Sequence, residues 1–336
     1  MASIMKLLVT GGLGFIGSNL CHYMIANRPD YEIINIDKIG IGANPASLKD
    51  LGKERRYRFV KGDICDSNLL DRLIKRVDAV INVAAETHVD RSIASPAEYI
   101  QNNTVGTFTI LEAIRKHNER TRLIQVSTDE VYGEIAEGSF TETDTPKPSS
   151  PYSAAKASAD MFVQAYHKTY NLNVSITRCT NNFGPYQFPE KLIPKTIIRA
   201  IKNLSVPIYG TGRNIRDWLY VQDHCRAIDY VLAKGKSGET YNVSSGKEIT
   251  NIEIVQKILK HLGKDLDLIA FVEDRPGHDI RYSLDSSKMK SELGWKPQHS
   301  FEEALRETVN WYVHNEAWWK PLATEETLNP TPWKQK

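Results

Sequence analysis

Three glycines spaced two residues apart constrain this chain more than any other feature. Gly11-Gly-Leu-Gly-Phe-Ile-Gly17 stands between the apolar run Lys6-Leu-Leu-Val-Thr10 and a helical pattern that closes near Arg28-Pro29. Strand, glycine turn and helix form the setting of a dinucleotide fingerprint. The spacing is GxxGxxG rather than GxGxxG, but the physics is shared. Gly11 makes the tight turn, Gly14 lets backbone approach a pyrophosphate, and Gly17 lets the helix pack close with its N-terminus facing the anion. A second apolar run, Glu32-Ile-Ile-Asn-Ile-Asp37, ends in an acid about 20 residues after Gly17. A carboxylate there accepts from a ribose 2′-OH and repels a 2′-phosphate, which favours NAD over NADP. The plainer alternative is an aspartate capping a strand end.

Further strands follow at Arg58-Phe-Val-Lys-Gly62, Asp78-Ala-Val-Ile-Asn-Val83, Arg122-Leu-Ile-Gln-Val-Ser127 and Asn173-Val-Ser-Ile-Thr-Arg178. Helical patterns separate them, at Cys65–Lys75, Pro96–His117 and Tyr152–Tyr166. Such alternation through about residue 180 predicts an α/β protein with a doubly wound parallel Rossmann sheet. Asp63 either accepts from an adenine amino group or caps the next helix. Ala84 and Ala85 are small enough to lie against a cofactor. A lone histidine such as His88 is more often a packing residue than a ligand.

The stretch Ser127-Thr-Asp-Glu-Val-Tyr-Gly133 emerges at the carboxyl edge of that sheet, where ligands bind. In extended chain, Asp129 and Glu130 point to opposite sides and address two atoms of one substrate. The bland alternative is a solvated acidic turn. Tyr152 and Lys156, four apart on a helix, project together. A nearby ammonium, and the cationic nicotinamide ring, lower the tyrosine pKa and make Tyr152 a base; an exposed Tyr/Lys pair is the competing explanation. Beyond residue 180, Asn181–Tyr186 forms a turn-rich loop and Phe188–Pro194 starts a helix. Polar and basic groups from Pro207 to His278 then scatter along irregular chain. Arginine forks there suit a diphosphate, against the alternative of surface salt bridges. Phe301–Trp319 reads as a closing amphipathic helix whose aromatics pack, and residues beyond Leu322 as a frayed tail.

Composition removes other classes. A formal charge of +2 with scattered Lys and Arg gives no case for nucleic acid. No apolar run approaches a membrane span, and the N-terminal residues lack the pattern of a signal peptide. Cys21, Cys65, Cys179 and Cys225 are isolated, which favours a reducing compartment, by default the cytoplasm, and argues against a metal site.

In this order the motifs resemble the extended short-chain dehydrogenase/reductase superfamily and, within it, the nucleotide-sugar 4,6-dehydratases that act on dTDP-glucose. The resemblance runs from Gly11 to Trp319. It is carried by Ala84-Ala-Glu-Thr-His-Val-Asp-Arg-Ser92, Ser127–Gly133, Tyr152-Ser-Ala-Ala-Lys156, Asn181-Asn-Phe-Gly-Pro-Tyr186, Phe188-Pro-Glu-Lys-Leu-Ile-Pro194, Asn214-Ile-Arg-Asp-Trp218 and Asp274-Arg-Pro-Gly-His-Asp279. It implies a three-step reaction on bound NAD. Tyr152 removes the C4 hydroxyl proton as hydride leaves C4, with Lys156 and Thr128 orienting that site. Glu130 takes the C5 proton, Asp129 protonates the departing C6 hydroxyl, and hydride returns to C6. One acid must be neutral and the other ionised.

The resemblance also implies that Phe15, Ile16, Asp37, Lys38, Asp63, Ile64, Ala84, Ala85, Glu86, Asn102, Tyr152, Lys156 and Asn182 join the glycines around NAD. Thr87, His88, Thr128, Asn181, Glu190, Lys191, Leu192, Pro207, Tyr209, Arg216, Asn251, Arg275 and His278 hold the dTDP-sugar. A smaller, mainly C-terminal α/β domain of residues 186–217 and 247–322 binds that sugar nucleotide. Residues 1–185 with about 218–246 bind the cofactor, and 323–336 form a tail. A homodimer through the Pro96–His117 and Tyr152–Tyr170 helices, as a four-helix bundle, is implied too. Two positions depart from relatives: Ile39-Gly-Ile-Gly-Ala-Asn44 replaces a Thr-Tyr-Ala-Gly-Asn run, and Phe183 replaces a frequent Tyr. The rivals are a UDP-sugar dehydratase, 4-epimerase or decarboxylase, and a non-catalytic NAD-binding sensor. The acid pair argues against the epimerase, and the retained Tyr and Lys argue against the sensor.

Overall fold

The computed structural model describes residues 4–334; residues 1–3 and 335–336, at the ends of the expected first domain and tail, lie outside the described residues. The first half runs β1 (Met5–Thr10), α1 (Phe15–Asn27), β2 (Tyr31–Asp37), β3 (Tyr57–Lys61), α2 (Ser67–Ile74), β4 (Ala79–Asn82), α3 (Val89–Ala94), α4 (Pro96–Tyr99), α5 (Gly106–His117), β5 (Arg122–Thr128), α6 (Pro151–Tyr170) and β6 (Val174–Cys179). The second half adds β7 (Asn181–Phe183), α7 (Leu192–Ile201), β8 (Val206–Tyr209), β9 (Ile215–Tyr220), α8 (Val221–Lys234), β10 (Thr240–Val243), β11 (Glu248–Thr250), α9 (Asn251–His261), β12 (Ile269–Val272), α10 (Phe301–His314) and α11 (Glu316–Trp319).

Seven strands form one sheet in the order β10-β6-β5-β4-β1-β2-β3, every neighbouring pair parallel. The chain winds one way from β1 to β3 and the other from β4 onward, so the strand order reverses between β1 and β4. Side chains at the carboxyl ends of these strands face a crevice at that switch point. Buried aliphatic residues cover both faces of the sheet, as parallel strands require. The remaining strands make two small sheets, β11-β9-β7 and β12-β8.

The structure corrects several expectations. Pro207 and Tyr209 lie on a strand, Arg216 on another, and Asn251 opens α9; the four residues of β8 are too few to show alternation in sequence. The helix after Phe188 starts only at Leu192. The Pro96–His117 helix contains a π turn at Ile100–Val105. Asp66, not Asp63, caps α2, accepting from the Leu69 N–H at 3.0 Å. The segment beyond Leu322 packs rather than frays. Leu328 is buried in the main core, Lys195 Nζ donates to the Asn329 carbonyl at 3.0 Å, and Arg199 donates to the Leu328 carbonyl at 2.8 Å. Polar composition concealed this docking because two of the cations bond backbone carbonyls, which no residue type records. The aromatics of α10 and α11 do pack: Tyr312 and Trp319 are buried, and Trp311 and Trp318 meet Tyr186 edge-on.

Candidate active site

Two adjoining cavities occupy the crevice, a cleft of about 280 Å³ and a pocket of about 170 Å³. They share Thr87, His88, Glu130, Asn181, Glu190 and Lys191. The larger is floored by the glycine loop. Gly11 has φ +69°, and a Cβ there would lie 2.6 Å from Ala84 Cα. A Cβ on Gly17 would lie 2.2 Å from the Gly11 carbonyl oxygen, so only glycine lets α1 pack this close. Asn35 Oδ1 accepts from the Gly12 N–H and Asp37 Oδ2 from the Leu13 N–H, each at 3.0 Å. The loop is thus fastened to β2. Gly14 caps α1 without a side chain, leaving its first N–H groups to a ligand.

Asp37 Oδ1 also accepts from the Ile39 N–H at 2.7 Å. Burial pushes its pKa up, and those two N–H groups pull it down. Each oxygen keeps a lone pair for a ribose hydroxyl. Lys38 Nζ donates to Asn102 Oδ1 at 2.7 Å and stands 3.7 Å from Glu86 and 3.9 Å from Asp63. The divergent Ile39–Asn44 loop turns through Ile39 at φ +62° and Gly42 at +88°, and Ile41 lines the cleft. Phe15, Ile16, Ile64, Ala84, Ala85 and Asn182 line it as well.

The acid pair departs from its expected geometry. β5 stops at Thr128, and Asp129–Tyr132 form a 3-10 turn. Thr128 Oγ1 donates to Asp129 Oδ1 at 3.0 Å and accepts from the Glu130 N–H at 3.3 Å. That hydroxyl bends the chain, a local competition typical of Thr, so the acids splay around a turn instead of across a strand. Asp129 is buried, its Oδ2 has no partner, and burial with the Glu130 charge pushes its pKa up to about 8. Burial also raises Glu130, and Arg275, Lys191 and Arg216 offset only part of that rise. The two carboxyls therefore sit in unequal fields, with the cations favouring ionised Glu130.

Ser150 and Ser153 form a capping box at the start of α6, with Pro151 between them. This box sets Tyr152 and Lys156 into the cleft, both buried. The expected lowering of the tyrosine pKa is not found. Burial and the Glu130 charge push the phenol up, although a Thr128 hydrogen bond opposes them. Lys156 Nζ donates to the Val126 carbonyl at 2.7 Å. One of its three N–H donors is thus taken by backbone, and burial with the Glu130 and Asp129 charges outweighs the ammonium at the phenol.

The smaller pocket is lined by Leu192, Pro207, Tyr209, Arg216, Asn251, Arg275 and His278, together with the shared residues. Its arginines are not surface pairs. Arg216 is buried, donates to the Asp279 carbonyl at 2.8 Å and lies over the Tyr282 ring. Arg275 Nη1 donates to Asp90 at 2.8 Å. Lys191 Nζ donates to the Thr87 carbonyl at 2.9 Å. Burial lowers His88 well below its ordinary value, and its Nδ1 stands 3.5 Å from Glu190. Asn181 Oδ1 and Asn251 Oδ1 are buried without partners, which suits a polar ligand. Every candidate site residue thus lines one cavity or both. Asn35, Asp90, Ser92 and Tyr282 escaped the sequence reading. Asp90 and Ser92 fell inside a quoted motif, but nothing local showed what they touch. Among the described residues, no three His, Cys, Asp or Glu side chains gather as metal ligands.

This architecture and site define a nucleotide-sugar dehydratase class: a family model described as GDP-mannose 4,6 dehydratase matches residues 8–308. A dTDP-glucose 4,6-dehydratase from Streptomyces niveus is 46% identical over 332 residues, covering 98% of each chain. The crystal structure of DesIV, a dTDP-glucose 4,6-dehydratase from Streptomyces venezuelae with NAD bound, superposes with a TM-score of 0.93 at 47% identity, covering 95% of this chain and all of that one. A UDP-glucose 4-epimerase from Thermotoga maritima reaches a TM-score of 0.85 at 31% identity, over 92% and 99%. The chain belongs to the dTDP-glucose 4,6-dehydratase family.

Proposed function

We propose that the protein converts dTDP-glucose to dTDP-4-keto-6-deoxyglucose as an NAD-dependent hydro-lyase. The observation that carries this reading is the pair Asp129–Glu130 at the junction of the two cavities, beside Tyr152. The unfilled N–H groups of α1, the Cβ-free approach at Gly17 and the Asp37 carboxylate fit a dinucleotide. NAD supplies a reversible hydride acceptor there. In the surroundings that the chain alone supplies, Tyr152 is a neutral phenol; as phenolate, a state that the positive charge of NAD+ beside it would favour, it would receive the C4 hydroxyl proton, with the Thr128 hydroxyl alongside. A ketone at C4 acidifies the C5 proton, which ionised Glu130 removes. Asp129 holds its proton through neutral pH and delivers it to the leaving C6 hydroxyl. Its unpartnered Oδ2 is where a substrate hydroxyl would bond. Such acid–base assistance contributes about 10²–10⁴ in rate.

Arg216, Arg275 and Lys191 are assigned to the diphosphate, and Pro207, Tyr209 and Asn251 to the nucleoside. Residues 1–185 with about 218–246 are assigned to cofactor binding, a reading favoured by the pairing of β10 with β6. Residues 186–217 and 247–322 are assigned to the sugar nucleotide. A homodimer is assigned to the outer faces of α5 and α6 with the turn before α5, where Ile100, Phe108, Met161, Phe162 and Tyr170 are exposed. Two copies would bury them as a four-helix bundle. Four free cysteines suit a reducing cytoplasm.

The test is turnover of dTDP-glucose beside UDP-glucose. A 4-keto-6-deoxy product from dTDP-glucose, without net reduced cofactor, is expected. A C4-inverted sugar, or faster turnover of UDP-glucose, contradicts the reading.

A further inference from the structure

Asp90, on α3, is 1% exposed. A lone buried carboxylate costs several kcal/mol unless it is paired, and this one is paired across the pocket. Its Oδ1 accepts from Arg275 Nη1 at 2.8 Å and its Oδ2 from the Tyr209 hydroxyl at 3.3 Å. His88 Nε2 lies 3.9 Å from Oδ2. Both donors come from the second half of the chain and both line the smaller pocket. Arg275 Nε is buried without a partner. One part of the guanidinium is therefore fixed by Asp90 while another donor stays unfilled. The same helix carries Ser92, whose Oγ accepts from the Tyr152 N–H at 3.3 Å.

We propose that Asp90 is a positioning residue for sugar-nucleotide binding, orienting Arg275 and Tyr209 so that they meet the nucleoside diphosphate without rearrangement. This rests on the assignment of those two side chains to the nucleotide. A rival account predicts the opposite sign. If Asp90 merely diluted the positive charge of Arg275, Arg216, Lys191 and Lys195, its removal would strengthen anion binding. If it positions Arg275, removal lets the guanidinium swing away from its cationic neighbours and binding weakens.

The experiment is calorimetric binding of dTDP to the NAD-loaded protein. Asp90→Asn is expected to weaken dTDP at least tenfold, with KM for dTDP-glucose rising by more than kcat falls. In an Arg275→Gln background the same change should cost no more than two- to threefold, because Asp90 then holds only the Tyr209 hydroxyl. Tyr209→Phe, which removes only one hydroxyl, should weaken dTDP two- to threefold and serves if Asp90→Asn fails to fold. Unchanged or tighter dTDP binding in Asp90→Asn, full additivity with Arg275→Gln, or an unaffected Tyr209→Phe overturns the proposal. Wild-type protein that binds dTDP without dehydrating dTDP-glucose would defeat the proposed function and leave this coupling intact. Wild-type protein that binds neither dTDP nor UDP would defeat both.

Discussion

The two cavities are neighbours built by different means. The larger is shaped by backbone. Its floor is a glycine loop whose N–H groups donate to the Asn35 and Asp37 side chains, and a Cβ on Gly17 would sit against the Gly11 carbonyl oxygen. The smaller is shaped by charge, with Arg275 on Asp90, Arg216 on carbonyls and Glu190 between His88 and Arg91. In the first, specificity is a matter of shape, and a wrong atom is excluded sterically. In the second, each ion depends on a partner distant in sequence. Deleting one partner strands the other, at about 3–5 kcal/mol for a buried pair. Glu130 belongs to both cavities, so chemistry is placed where the two constructions meet.

The sharpest way to break that picture is at Glu130 itself. Glu130→Gln keeps the shape and removes the proposed base. Product formation should fall about a thousandfold, within the range for a lost acid–base group, while the first oxidation persists as a stable cofactor absorbance. Complete dehydration by this variant would remove Glu130 from its role.

Asp129 gives the next largest effect, one that runs in opposite directions for stability and activity. Its folded pKa is raised to about 8 by burial and the Glu130 charge. Between the ordinary carboxyl value and that point the folded state binds the extra proton, so stability falls as pH rises through the window. The slope approaches 1.4 kcal/mol per pH unit. Asp129→Asn should abolish the fall and melt higher than wild type near pH 8, while losing dehydration. Wild-type activity should decline above about pH 8 as this proton is lost. A melting difference that does not change with pH would show Asp129 to be solvated.

A smaller effect separates shape from charge. Gly17→Ala puts a methyl 2.2 Å from the Gly11 carbonyl oxygen. Overpacking of this kind costs about 1–3 kcal/mol, and NAD affinity should drop with it. Gly52, with nothing within 4 Å of its would-be Cβ, is the control whose alanine variant should bind NAD normally.

The same contrast explains what the sequence disclosed. The glycine loop, Asp37 and the alternation of strands and helices were legible because backbone geometry imposes residue types at short, fixed spacing. The clustering of Asp90 with Arg275, 185 residues apart, was not, because any acid can pair with any base and no spacing records it. Thr128 shows a second limit. Its hydroxyl turns the chain at the end of β5, and a strand end followed by two acids gives no sign of whether extension continues. The Tyr152 pKa failed for a related reason. Helical spacing put Lys156 on its face, but burial and the Glu130 and Asp129 carboxylates, brought by another element, outweigh it.

The least of these effects compares two helix N-termini at one cleft. α6 is closed by its capping box, and α1 starts at Gly14 with no side-chain cap. One end holds a side chain in place and the other stays open for an anion. Ser150→Ala should cost about 1 kcal/mol, as N-cap losses do, and lower the melting temperature by a few degrees. Tyr152 should lose little activity, because the Ser92 contact at its backbone N–H remains. Gly14 is extended, at φ −76° and ψ 178°, a conformation open to serine, although the new Cβ would lie 3.3 Å from the Gly11 carbonyl oxygen. The cap gained is worth a few tenths of a kcal/mol and is offset by that close contact, so Gly14→Ser should leave the apoprotein near wild-type stability. It should also weaken NAD, because the new hydroxyl competes for the N–H groups that the ligand needs. Equal or tighter NAD binding by Gly14→Ser would mean that the open end of α1 does not receive the dinucleotide, and that the contrast between the two helices is accidental.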